Sequence, residues 1–239
     1  MKWKQMLHYE IAAVWRPVAA FYGIMIAIFI LGSILRAMLS QTALNFGDPD
    51  VMSSVFVFVI GFCLYKEPFF MGLANGISRR TSFLCFLILS VSLSLVVAIC
   101  NSVLLPIFSH VVSFQITDII YGELEMGAWM EQIVRLVISI VMSVMFMQIG
   151  YTIGGVYYRM GKVLKGIVSA CVPIFFVLLL PIIFTALPEH IQQAIGRFFA
   201  GIGTFIASTP WNLVLVFSGV SLLFAVLGWL LIRRSPIKA

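Results

Sequence analysis

Apolar residues run along this chain in long blocks, and short polar stretches separate them. The first block extends from Pro17 to Leu39, and about 20 helical residues at a rise of ~1.5 Å cover the ~30 Å hydrocarbon core of a bilayer. Further blocks follow at Val51–Tyr65, Ser82–Phe108, Ile133–Tyr158, Ile167–Leu187 and Leu213–Ile232, none with an acidic residue inside. The pattern predicts an all-α, polytopic membrane protein with six transmembrane helices, folded as a single membrane domain over residues 1–239. The second block is the shortest. It either crosses with tilt, bilayer thinning or borrowed flanking residues, or turns back as a re-entrant hairpin.

Ahead of the first block, residues 1–16 mix charges with Trp3, Met6, Leu7, Ile11, Val14 and Trp15 at roughly helical spacing. That amphipathic pattern predicts an interfacial helix, serving either as an anchor or as a brace for a partner. The same segment has no apolar core region, so no cleaved leader is expected and the first helix stays attached.

Composition narrows the class further. Of 239 residues, 62% are hydrophobic and 10% charged, and the mean hydropathy is +1.11; a water-soluble core cannot hide so much apolar surface. The net charge of +6 is distributed beside the blocks, not in a basic region suited to nucleic acid. Lys2, Lys4 and Arg16, then Lys66, Arg79 and Arg80, then Arg159, Lys162 and Lys165, then Arg233, Arg234 and Lys238 all fall on one side of the predicted topology. Asp48, Asp50, Asp118, Glu123, Glu125, Glu131 and Glu189 fall on the other. The positive-inside rule makes the first side cytoplasmic, with both termini there.

Candidate chemistry is sparse. Cys63, Cys85, Cys100 and Cys171 lack metal-ligand spacing and are read as packing residues, and His8, His110 and His190 are scattered, so no metal set is expected. The predicted helix centres carry no charge, which removes the usual machinery of a proton-coupled transporter. Arg36 and Arg135 lie near predicted outer ends; they are interfacial anchors, contacts for anionic lipid headgroups or, with Phe198 and Phe199, parts of an outer gate. Gly150, Gly154 and Gly155 form a small-residue face, for packing within the chain or between two chains.

Residues 66–81 stand apart from a plain connector. Pro68 suits a first helical turn, Phe69 to Ala74 an apolar-sided short helix, and Asn75-Gly76 its stop. Ser78 or Thr81 then caps the next helix, and Arg79 and Arg80 hold its end at the interface. Such a helix between two spans is a suitable lever for a soluble motor.

In the run Gly72-Leu73-Ala74-Asn75-Gly76-Ile77-Ser78-Arg79-Arg80-Thr81-Ser82-Phe83 the chain resembles permease subunits of type-2 ATP-binding-cassette (ABC) exporters, particularly small ones of Gram-positive bacteria. The resemblance implies that the loop docks on a cytoplasmic ABC ATPase dimer through a coupling helix, with Glu67, Pro68, Phe69, Phe70, Met71, Leu73, Asn75, Gly76, Ser78, Arg79 and Arg80 at the contact. It implies a bacterial plasma-membrane location and a second permease chain, identical or homologous. It further implies re-entrant or interfacial helices on the outer side at 188–212, where one helix on the outer leaflet is the alternative.

The chain itself has no P-loop: Gly161-Lys162 is followed by Val163, and Val156 stands where the first glycine belongs. No cofactor is therefore expected on this chain, and ATP and Mg belong to the partner ATPase. The expected function is export of an amphipathic substrate, a lipid or a peptide of antimicrobial or cytolytic type. A non-transporting scaffold or sensory partner, and an intramembrane enzyme, are the alternatives.

Overall fold

A computed structural model describes residues 2–39, 48–109, 128–175 and 179–233. Among them the secondary structure is helix joined by short turns, with no strand. The helices are α1 (Lys2–Leu39), α2 (Pro49–Leu64), α3 (Glu67–Ala74), α4 (Arg79–Ser109), α5 (Ala128–Arg159), α6 (Lys162–Ile174), α7 (Leu180–Ala186), α8 (Glu189–Ser208) and α9 (Pro210–Arg233). Four of them, α1, α4, α5 and α9, are long and apolar enough to cross a membrane, which marks the protein as membrane-embedded.

The expected interfacial helix is not a separate element. Its residues and the first apolar block form one 38-residue helix that continues through Pro17. Met6, Glu10, Val14, Val18, Tyr22, Met25 and Phe29 are all buried and recur three or four residues apart, so one face stays packed across the proline. That continuous burial offsets the backbone hydrogen bond that Pro17 cannot donate. At about 57 Å, α1 is far longer than a bilayer core is thick.

Two expected spans differ in form. α2 is apolar but has 16 residues, about 24 Å of helix. The block Ile167–Leu187 is shared between α6 and α7, with residues 176–178 outside the described set. α6 and α7 are exposed on most positions. Residues 188–212, expected to hold broken or surface-lying segments, form the uninterrupted α8 and the start of α9; Gly196, Gly201 and Gly203 do not break the helix.

The core sits where α2, α4 and α9 pack around α5. α2 and α5 approach backbone to backbone at their glycines: a Cβ added to Gly61 would overlap the Met147 carbonyl, and one added to Gly150 would overlap that of Phe58. Gly154 and Gly155 continue the contact against Phe62 and Tyr65. The small-residue face of α5 is thus occupied within the chain. Beside it, aromatic rings fill the space between helices, with Phe86 stacked on Tyr151 at 3.7 Å and Phe83 against Trp229 at 5.5 Å.

One end of this bundle is basic. Arg79 at the start of α4 donates to the carbonyls of Ile232 at 3.4 Å and Arg233 at 2.7 Å, and Arg159 at the end of α5 donates to that of Leu231. The carbonyls left open at the C-terminus of α9 are thereby satisfied by two cations, the charge its dipole favours.

Candidate functional site

Two regions gather the polar chemistry of the molecule, one at each end of the bundle. At the basic end, the short helix α3 joins α2 to α4. It stops because Gly76 adopts φ 69°, a left-handed conformation suited to glycine, and the Ile77 amide reaches back to the Gly72 carbonyl at 2.8 Å. Ser78 then starts α4, accepting from the Thr81 amide at 3.2 Å. The Met6 side chain of α1 packs at Gly72, where even a Cβ would be tight at 3.1 Å. A cavity of ≈360 Å³ opens between the two helices, lined by Gln5, Met6, Tyr9, Pro68, Met71 and Ile77, among others.

Of the sequence-predicted coupling residues, Pro68 is buried, Met71 is half exposed at 50%, and Asn75, Gly76, Ser78 and Arg80 are exposed. Arg79 is turned to the end of α9. Glu67, Phe69, Phe70 and Leu73 belong to α3, with side chains outside the described set.

At the opposite end, a buried polar network ties four helices together. Asp48 is the N-cap of α2, accepting from the Asp50 amide at 2.9 Å, and Pro49 follows at the first turn. This geometry turns Asp50 inward. Its Oδ1 accepts from Asn101 Nδ2 of α4 at 2.8 Å and from Ser139 Oγ of α5 at 2.5 Å. Asn101 also donates to Ser53 Oγ at 2.8 Å, and its own Oδ1 accepts from the Tyr22 hydroxyl of α1 at 3.0 Å. Asp48, Asp50, Ser53, Asn101 and Ser139 are all buried. A buried carboxylate flanked by donors holds its neighbours in fixed register, because each donor left alone would lack a partner.

Sequence reasoning places Asp48 and Asp50 on the side opposite the basic residues and does not reveal this network. Asn101 was the available signal: it is the one carboxamide within the apolar run of α4. Arg135, a gate candidate, lies beside the network and pairs with Glu131 one turn earlier at 3.2 Å. Phe198 and Phe199 lie on α8 at 65% and 64% exposure, with rings edge to face at 5.7 Å. They do not line the cavity that Arg135 lines. The backbone of Arg36 belongs to α1, with its side chain outside the described set.

A second buried carboxyl is Glu10 of α1, which is 2% exposed. Its Oε2 has no hydrogen-bond partner, and it lies within electrostatic reach of Cys85 and Tyr151. No group of three or more His, Cys, Asp or Glu side chains among the described residues is placed to hold a metal ion. Comparison with protein-family models, curated proteins and solved structures gives no match.

Proposed function

We propose that this chain is the membrane permease subunit of an ATP-driven exporter, resembling the type-2 ABC class, with the basic end in the cytoplasm and α3 as the surface a separate ATPase grips. The observation that carries the reading is α3 itself: an eight-residue helix with a left-handed glycine stop and an immediate serine-capped restart, set between α2 and α4. Its contact with α1 through Met6 and Gly72 would pass a push on α3 to three membrane helices at once. The twin arginine caps on α9 extend that rigid connection to a fourth. In this reading α2, tilted or in thinned bilayer, and the α6–α7 pair complete six crossings, and both termini are cytoplasmic. ATP and Mg belong to the motor, a second permease chain completes the pathway, and the cargo is amphipathic, a peptide or a lipid.

The test is recovery of partners from native membranes in mild detergent, identified by mass spectrometry with a nucleotide-hydrolysis assay. The wild-type chain retains an ABC ATPase, and Met71→Glu, a charge placed on the exposed side of α3, reduces that recovery at least about tenfold, since burying an unpaired charge at an interface is strongly unfavourable. Repeated purification of the wild-type chain with no nucleotide-binding partner would overturn the proposal.

A further inference from the structure

At the end of the bundle remote from α3, the last turns of α4 and the first turns of α5 line an open cavity of ≈420 Å³, within the size range of small-molecule sites. Leu105, Ile133 and Leu136 supply apolar wall, and Trp129, Glu131, Arg135 and Asn101 supply the polar and aromatic groups. Their hydrogen-bonding state decides which charge the cavity accepts. The Arg135 guanidinium is already committed, paired with Glu131 at 3.2 Å and within electrostatic reach of Asp50. An anionic ligand would have to displace a carboxylate to use it, whereas Glu131 meets Arg135 through Oε1 and keeps Oε2 as an acceptor for a cation. Both amide hydrogens of Asn101 are spent on Asp50 and Ser53, so what that side chain has left is acceptor capacity on Oδ1. Trp129 is 83% exposed and offers an indole face, the aromatic surface that best attracts a cation.

We infer that this cavity is a binding site for a lipophilic cation, a single positive centre on an apolar body, seated against Trp129 and Glu131 with its body on Leu105, Ile133 and Leu136. The site is argued from the cavity alone and does not depend on the motor reading of α3.

The experiment is saturable binding of tetraphenylphosphonium to the full chain in lipid nanodiscs, corrected by empty nanodiscs, beside tetraphenylborate, which has the same shape and opposite charge. The wild-type protein binds the cation saturably and the anion not. Trp129→Ala weakens cation binding about two- to fivefold, in keeping with the loss of a solvent-exposed cation–π contact. Glu131→Gln weakens it at least as much and, by releasing Arg135, opens the site to the anion. Both positions are at the surface or half-exposed, and unchanged melting temperatures would establish that the variants are folded. Equal or preferred binding of the anion by wild type, or cation affinity untouched in both folded variants, would overturn the inference.

Discussion

Asp50 and Glu10 are both carboxylic acids buried between helices, and they sit in opposite circumstances. Asp50 accepts from Asn101 and Ser139 within a network that also holds Ser53 and Tyr22. Glu10 is set beside Cys85 and an aromatic cluster, and its Oε2 accepts from nothing. The difference is one of donors supplied, not of depth: Asp50 is 7% exposed and Glu10 2%. Around Asp50 each of four helices contributes a group whose hydrogen bond would be lost if its neighbour shifted, so that end of the bundle is locked. Around Glu10, Cys85 and Tyr151 are within electrostatic reach and no donor meets its Oε2. The end of the bundle around Asp50 is therefore pinned through a buried carboxylate, whereas the buried carboxyl of Glu10 adds no such tie.

The largest effect is expected at the pinned end. Asp50→Leu strands the Asn101 amide and the Ser139 hydroxyl, and should lower unfolding stability in detergent by about 2–4 kcal/mol, since each buried donor left alone costs about 1–3 kcal/mol. Asp50→Asn keeps a carbonyl oxygen at the same reach and should recover most of that loss. If the two variants are equally destabilised, the lock depends on charge and not on hydrogen bonding. The smallest effect, with reversed sign, is expected at Glu10. Glu10→Leu removes an unsatisfied polar atom from an apolar surround and should raise stability by about 1 kcal/mol in the same unfolding assay. A loss of stability there would mean that Glu10 is held by a partner, and the contrast between the two ends would fail.

Much of this architecture was legible in the sequence because its signals are local. The runs Ser82–Phe108, Ile133–Tyr158 and Leu213–Ile232 sit within α4, α5 and α9, since long uncharged apolar stretches have few other ways to satisfy their backbone. The stop at Gly76 and the start at Ser78 were legible because each needs one residue type at one position. The continuation of α1 through Pro17 was not, because the compensation comes from packing along the whole buried stripe from Met6 to Phe29. Nor was the Asp50 network. Its donors lie 51 and 89 residues away, and no periodicity in α2 announces them. Glu10 was hidden for a related reason: its place on the buried face of α1 shows only once that face continues past Pro17.

The most direct measurement replaces Met71 by p-benzoyl-phenylalanine, with Trp129 at the opposite end replaced in parallel, and irradiates cells carrying each chain. The account predicts a covalent adduct to a nucleotide-binding protein from position 71 and none from position 129. No such adduct from position 71, or the same adduct from both, would contradict it.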